Sequence, residues 1–366
     1  MIVYVLCILL VYILITIFMK TNRKFSKISF LFLIIAVLIP SILAGMRDLS
    51  VGTDVNVYVA KYYEFARHSN SIFTFFDSYK LDVGYGVVTY FISKISYNVH
   101  IFLFFIELLI VFPVFISAYK LKNKIPMNLF CLIYMLTFYN MSFNIVRQSL
   151  AISFIILSFT YFITNENKKS LFYAIVSVLF HSTSIIFLII PIIYKYLNQK
   201  LKREKLITIL IVLGLIPIFY SKILLFLINN VGIISSRYSI YLEQLETSNF
   251  SVFQIGYRII IFLILILHSK KLKNDNNNFY IAMSFANIIF YLLNNAVLYA
   301  GRISFYFSAV VNLFGLGIIY YNIKVPKKRI MYFLIIVSIL VSYWYIQYII
   351  LKSGDTYPFK FFLKFN

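Results

Sequence analysis

The sequence predicts an all-α protein, a polytopic membrane helix bundle with about 10–12 transmembrane segments. Of its 366 residues, 62% are hydrophobic and 13% are charged, and the mean hydropathy is +0.89. A soluble domain with so few polar residues could not cover that much apolar surface. Apolar runs of membrane-spanning length also recur along the whole chain, with short polar segments between them. We therefore expect a single integral membrane domain over residues 1–366.

The apolar runs give the predicted transmembrane helices in order. A helix needs about 20 mostly apolar residues to cross the hydrocarbon core of a bilayer. Runs close to this length lie at about residues 1–19, 28–45, 99–119, 127–145, 148–163, 206–228, 254–269, 279–299, 303–322 and 330–351. The first run has no charged residue before it and no small-residue cleavage site after it, so we expect a retained helix rather than a signal peptide.

The basic residues predict the orientation of the chain. Most of the 34 Lys and Arg residues lie in six short segments, at residues 20–27, 120–126, 164–170, 195–205, 270–278 and 324–329. The positive-inside rule places these segments in the cytoplasm, so both termini are expected to be extracellular. We then expect residues 83–97 to form an outer interfacial or half-buried helix. Residues 171–194 enter the membrane and return, with His181 at the outer apex.

With this orientation, the remaining polar clusters all lie on the outer side. They are Arg47–Asp82, Asn140–Gln148, His181–Ser184, Arg237–Glu246, Asn294–Arg302 and the tail from Lys352. Residues 46–82 form the longest stretch that is not apolar, and we expect them to be a long extracellular loop. The clusters together predict an outward-facing polar cavity.

Arginines near the outer helix ends are the first candidate site residues. Arg147 and Arg302 each lie between two apolar runs, while Arg47 and Arg237 border longer polar segments. A guanidinium stays charged and binds phosphate oxygens with two donors at once, which suits a lipid diphosphate. The alternative is that each arginine contacts phospholipid head-groups separately. That alternative is the favoured one for Arg47 and Arg237.

Three acids and one histidine are further candidates. His181 lies within an apolar stretch and could accept a proton from a sugar hydroxyl, or it could satisfy backbone groups at a helix break. Asp54 and Asp82 stand beside glycines and could accept sugar hydroxyls or cap the helices that follow. Glu107 lies within an apolar run, where it either takes part in a proton relay or faces a polar group of a neighbouring helix.

Several function classes lack the motifs that they require. The sequence contains no Walker A loop, GxSxG elbow, HExxH motif or acidic metal cluster. It therefore gives no support to ATP hydrolysis, serine hydrolysis or zinc chemistry, and we expect no cofactor and no metal. The net charge of +22 comes mainly from the predicted inner loops, so nucleic acid is not an expected partner.

Five short blocks resemble a known family. They are VGTD (51–54) followed by Tyr58 and Tyr62, DVGYG (82–86), VRQSLA (146–151), FHS (180–182) and GRISFYF (301–307). In this order and spacing they resemble the EpsG family, the Wzy-like polymerases of bacterial exopolysaccharide and capsule synthesis. The resemblance runs from about Met46 to about Phe307. Asp82 departs from the pattern, because many members are expected to carry glutamate there.

The resemblance implies a reaction on the outer face of the cytoplasmic membrane. A growing glycan would pass from its polyprenyl diphosphate carrier to a newly exported lipid-linked repeat unit. We expect Arg147 and Arg302 to hold the diphosphate, and Asp54 or His181 to receive the acceptor proton. The expected substrate-binding residues are Arg47, Tyr58, Asp82, Tyr85, Gln148, Arg237 and Tyr306.

The expected partners are the polyprenyl-diphosphate-linked oligosaccharide, the lipid bilayer, and other polysaccharide export and chain-length proteins. Two alternative functions stay open at this point. One is a glycan ligase that uses the same donor. The other is a transporter or flippase of lipid-linked oligosaccharide, for which internal symmetry of hydropathy would be expected.

Overall fold

The computed structural model describes residues 1–21, 26–79, 81–198, 206–215, 219, 251–272, 277–295 and 300–362. Within these residues the fold is helical, and the β-type pairing is limited to an isolated antiparallel bridge between Arg47 and Phe361. The predicted all-α class is confirmed. The chain divides into two compact units, Met1–Leu188 with Lys324–Asn366, and Ile189–Ile323. The expectation of a single membrane domain stays a prediction.

Most of the helices follow the apolar runs of the sequence, whereas two, Ala60–His68 and Ile72–Ser78, lie within residues 46–82, the stretch expected to be a long loop. The helices are α1 (Ile2–Thr21), α2 (Ser26–Gly45), α3 (Ala60–His68), α4 (Ile72–Ser78), α5 (Val83–Ile95), α6 (Val99–Lys120), α7 (Met127–Tyr134), α8 (Val146–Ile163), α9 (Asn167–Phe180), α10 (Ile190–Asn198), α11 (Val252–Leu267), α12 (Asn277–Leu292), α13 (Ser304–Ala309), α14 (Leu316–Asn322) and α15 (Pro326–Trp344). In the first unit, α2 packs on α1 and α6, and α8 packs on α6 and α9.

Six of the described helical segments are long and apolar enough to cross a membrane. They are Ile2–Thr21, Lys27–Gly45, Val99–Lys120, Val146–Ile163, Gly301–Asn322 and Pro326–Ile350. Five further apolar helices of 10–17 residues lie at Val83–Ile95, Ser182–Leu197, Leu206–Leu215, Val252–Leu267 and Asn278–Leu292. The chain is therefore a polytopic membrane protein. The number of crossings and the positions of the two termini stay predictions.

Two breaks in the helices fall where the polar blocks of the sequence lie. After α7 the chain forms a π-helical stretch, Met135–Tyr139, and a single turn, Asn140–Ser142, before α8 begins. We call residues 143–145, between that turn and α8, the α8 break. After α9, His181 is extended (φ −158°, ψ 114°), and a 3₁₀ stretch, Ser182–Ile189, follows it. The predicted interruption at His181 is thus present, and Arg147 lies in the first turn of α8.

The residues after the last helix fold back onto the first unit. We call Lys352–Phe362 the C-terminal segment. The Asp48 amide donates to the Lys360 carbonyl at 2.8 Å, and the Phe362 amide donates to the Met46 carbonyl at 3.1 Å. These bonds pair the end of the chain with the residues that follow α2, so the tail is part of the folded unit.

Gly52 provides a test of this packing. Its φ of +98° favours glycine, and a Cβ atom there would lie 2.0 Å from the Phe143 carbonyl oxygen in the α8 break. We expect Gly52→Ala to destabilise the protein by roughly 2 kcal/mol or more, because strain and overlap add. The measurement is thermal unfolding of the detergent-solubilised protein.

Gly256→Ala is the matched control, because no atom lies within 4 Å of a Cβ placed there on α11. We expect it to be neutral or stabilising by up to about 1 kcal/mol. Equal effects of the two substitutions would contradict the close packing of Gly52 on the α8 break.

Candidate functional site

The centre of the candidate site is the carboxylate of Asp82. Arg147 Nη1 donates to Asp82 Oδ2 at 3.0 Å, and the Ser182 amide donates to Asp82 Oδ1 at 3.1 Å. Asp82 is the residue before α5, yet its side chain makes no capping hydrogen bond to that helix. The alternative that Asp82 simply caps the following helix is therefore wrong. Its carboxylate instead joins the start of α8 to the end of α9.

His181 completes this cluster. Its Nδ1 lies 3.6 Å from Asp82 Oδ2, and its backbone is extended at the end of α9. The side chains are 14% exposed for Asp82, 21% for His181 and 29% for Arg147. A carboxylate, an imidazole and a guanidinium, all three partly buried, thus meet from three separate sequence blocks. We call these three residues the Asp82 cluster.

The charges of the cluster decide the protonation state of Asp82. Burial by itself raises the pKa of this carboxyl group. Contact with His181, the charge of the Arg147 guanidinium and the Ser182 amide act in the opposite direction and hold the pKa of Asp82 below its usual range. Asp82 is therefore an anion at neutral pH, and it holds the guanidinium in a fixed position.

A glycine of the DVGYG block allows the elements of the cluster to approach one another. A Cβ atom on Gly84 would lie 3.0 Å from the backbone carbonyl carbon and oxygen of Leu179. The first turn of α5 thus packs directly on the backbone at the end of α9, two residues before His181. A larger residue at position 84 would move Asp82 away from the α9 end.

Asp54 lies at the border of the cluster. Its backbone amide donates to Asn144 Oδ1 at 2.9 Å, and Asn144 lies in the α8 break, three residues before Arg147. The buried Tyr85 interacts electrostatically with both Arg147 and Asp54. The structure therefore brings Asp54, Tyr85, Asp82, Arg147 and His181 into one region of the first unit.

Other predicted site residues of the first unit are placed differently. Gln148 is buried behind Arg147 in α8, whereas Tyr58 is 45% exposed and its ring centroid lies 6.2 Å from that of Tyr62. Arg47 is 1% exposed, and its guanidinium lies 4.2 Å from the centroid of the Phe143 ring. The favoured expectation that Arg47 contacts lipid head-groups is wrong, because its side chain is enclosed by protein.

Glu107 is a buried acid that interacts electrostatically with Arg47. The Ser142 hydroxyl lies 2.9 Å from Glu107 Oε1 and 2.8 Å from Oε2, and the Glu107 side chain is buried in α6. Arg47 and Glu107 also attract each other electrostatically. This agrees with the alternative that Glu107 faces a polar group of a neighbouring element.

The described part of the second unit contains two predicted residues and one that the sequence analysis missed. Arg302 lies in a 3₁₀ turn, Ala300–Ile303, and Tyr306 is fully buried in α13. The missed residue is Arg258 of α11, which is 2% exposed, donates to Ser304 Oγ at 3.2 Å and lies 3.9 Å from the centroid of the Tyr291 ring. The sequence signal that could have identified Arg258 is its position as an arginine within the apolar run 254–269.

Arg258 supports the turn that carries Arg302. Its Nε donates to Asn287 Oδ1 of α12 at 3.2 Å, while Nη2 reaches Ser304, two residues after Arg302.

The relation of Arg302 to the Asp82 cluster stays a prediction. Arg237 lies outside the described residues. Among the residues that the structure describes, no group of three or more His, Cys, Asp or Glu side chains is arranged to hold a metal ion.

The helices and the Asp82 cluster define a polytopic membrane protein with a partly buried, charged cluster at helix ends. Residues 30–361 match the model of the EpsG family, so the chain belongs to the EpsG family, which consists of Wzy-like polymerases. Neither the search of curated proteins nor the search of solved structures found a match. The family links the chain to exopolysaccharide polymerisation.

The charge of Asp82 predicts a pH-dependent stability. The folded pKa is depressed, so the ionised carboxylate stabilises the fold above the unfolded pKa of about 4, and this contribution is lost as the pH falls through the folded pKa. We expect Asp82→Asn to lower the unfolding temperature at pH 7, and the gap to wild type to narrow as the pH falls below the unfolded pKa of about 4 towards the folded pKa.

The control for this measurement is Asp77→Asn, because the Asp77 side chain is exposed on α4. We expect no measurable change from it at either pH. A gap between wild type and Asp82→Asn that is as large at pH 3 as at pH 7 would show that the charge of Asp82 does not stabilise the cluster.

Proposed function

We propose that the protein polymerises exopolysaccharide or capsule repeat units in the cytoplasmic membrane of a bacterium. It would transfer a growing glycan from polyprenyl diphosphate to a lipid-linked repeat unit on the outer face of that membrane. The observation that carries the proposal is the Asp82 cluster, in which Arg147, Asp82 and His181 meet within a chain of the EpsG family.

Arg147 is the proposed contact to the donor diphosphate. One of its nitrogens, Nη1, is held by Asp82, and a guanidinium carries five N–H donors in a fixed plane. The anchored edge fixes the orientation of that plane, so the other edge can present donors to phosphate oxygens without loss of side-chain entropy. Arg302 stays a second predicted diphosphate contact, to be tested by its own substitution.

The transfer step requires a base, and we assign that role to His181. The acceptor hydroxyl oxygen attacks the anomeric carbon of the donor and forms the new C–O bond, while its proton passes to the imidazole. The C–O bond to the diphosphate breaks, and the diphosphate leaves with the bonding electron pair. Asp82 stabilises the imidazolium that results, because its anionic carboxylate lies 3.6 Å from Nδ1.

The other candidate base is Asp54, which lies beside Asn144 at the border of the cluster. In the proposed mechanism Asp54 instead contacts the acceptor sugar, and Tyr85 supports it.

The charge of the arginines would balance the charge of the leaving diphosphate, so we propose a metal-independent transfer. Asp82 becomes a residue that orients Arg147 and His181, instead of the sugar contact that the sequence predicted.

Substitution of Arg147 tests the proposed function. We expect Arg147→Ala to reduce polymer at least about tenfold in cells that contain normal amounts of the protein, since a charged hydrogen-bonding group is lost. Single repeat units on the lipid carrier should accumulate. Arg147→Lys keeps the charge but loses the fork, so we expect it to behave more like the Ala variant than like wild type.

Two further measurements make this test specific. Purified Arg147→Ala should bind farnesyl diphosphate about 10- to 100-fold more weakly than wild type does. Farnesol, which lacks the diphosphate, is the control ligand. The control is Arg67→Ala, because Arg67 pairs with Glu64 outside the cluster.

Full-length polymer from the Arg147→Ala variant would rule out the proposal. Long lipid-linked chains instead of single units would indicate a ligase.

A further inference from the structure

The C-terminal segment is anchored to the first unit by side chains as well as by backbone pairing. The Tyr4 hydroxyl of α1 donates to the Thr356 carbonyl, and the Tyr4 ring meets the Phe359 ring edge-on at 5.5 Å. At the far end, the ring of Phe362 stacks on His100 of α6 at 3.8 Å. The segment therefore has a fixed path across α1 and α6.

Along this path, Asp355 holds the residues that precede Asp54. Its backbone carbonyl accepts from the Gly52 amide at 3.0 Å, and its Oδ2 accepts from the Thr53 hydroxyl at 2.8 Å. The Asn144 side chain of the α8 break accepts from the Asp54 amide at 2.9 Å. The turn formed by residues 52–54 is thus held between the C-terminal segment and the α8 break.

The same segment also contacts Asn144. A Cβ atom on Gly354 would lie 2.7 Å from Asn144 Nδ2, so the backbone at position 354 packs directly on that side chain. Asn144 is three residues before Arg147. One short segment at the end of the chain therefore touches both the turn that carries Asp54 and the break that leads to Arg147.

We propose that the C-terminal segment is a positioning element of the site, which fixes Asp54 relative to Arg147 through Asp355 and Asn144. This inference rests on the proposed function. The family match extends to residue 361, past the last helix, so it includes most of the segment. The expected effect falls on the acceptor, because Asp54 is the proposed acceptor contact while Arg147 and Asp82 keep their own bonds.

The experiment removes the bond between Thr53 and Asp355 from each side. Asp355 has a φ of +53°, a left-handed conformation in which alanine would add strain, so Asp355→Gly is the cleaner deletion. Thr53→Val removes the hydroxyl, and the double variant removes both groups. The rescue variants are Asp355→Asn and Thr53→Ser, which keep an acceptor and a hydroxyl. Thermal unfolding confirms that each variant is folded.

The readouts are KM for the lipid-linked repeat unit, kcat, and binding of farnesyl diphosphate by the purified full-length protein. Each deletion should raise KM about 2- to 5-fold, the loss expected for one exposed hydrogen bond, with kcat and farnesyl diphosphate binding unchanged. The double variant should show no larger rise than the single ones. Lys360→Ala is the control within the same segment, since it keeps the backbone carbonyl that pairs with the Asp48 amide and leaves the bond between Thr53 and Asp355 intact.

Two outcomes would overturn the inference. An unchanged KM in Asp355→Gly and Thr53→Val would show that the segment does not position the turn, and KM rises that multiply in the double variant would show that the two residues act separately. In either case the loss of polymer in Arg147→Ala would still support the proposed function. Full polymer from Arg147→Ala would instead refute that function, whatever the segment does.

Discussion

The fold of the first unit depends on the carboxylate of Asp82, which lies between the Arg147 guanidinium and the His181 imidazole. These three residues lie at the ends of three helices, α5, α8 and α9. Asp82 bonds to Arg147 at the start of α8 and to the Ser182 amide after α9, and it lies 3.6 Å from His181. A buried carboxylate without such partners would become protonated, and an arginine without one would need water or a head-group. The three side chains therefore fix one another, and they fix how α5, α8 and α9 meet. A charged site can exist at the end of an apolar bundle because of this mutual compensation.

The α8 break connects this cluster to the rest of the unit. It lets the chain leave the π-helical end of α7, place Phe143 against Arg47 and Asn144 against Asp54, and start a new helix one residue before Arg147. The amides of the break donate to local carbonyls, and its contacts to other parts of the unit are made by the Asn144 side chain and by close packing. The break thereby binds the turn at 52–54 and packs on Gly354 of the C-terminal segment.

The sequence predicted the helices well, because a long apolar run has few alternatives in a membrane. It also indicated Arg147 and His181, each as a polar residue within an apolar pattern, and Asp82 as an acid close to a glycine. It did not predict that Asp82 orients the other two, since hydropathy carries no information on which helix ends meet. Arg47 was expected near head-groups but is enclosed, and Arg258 was overlooked inside an apolar run. Both errors arise because burial of an arginine is decided by tertiary neighbours such as Phe143 and Tyr291, which lie far away in sequence.

The most direct measurement is a double-mutant cycle on the rate of glycan transfer by the purified protein, with Asp82→Ala, Arg147→Ala and the combined variant. If Asp82 acts by holding Arg147 at the diphosphate, each single substitution should slow transfer at least about tenfold, and the combined variant should be no slower than the slower single one. Losses that multiply would contradict the account, because they would mean that Asp82 and Arg147 contribute independently and do not form one site.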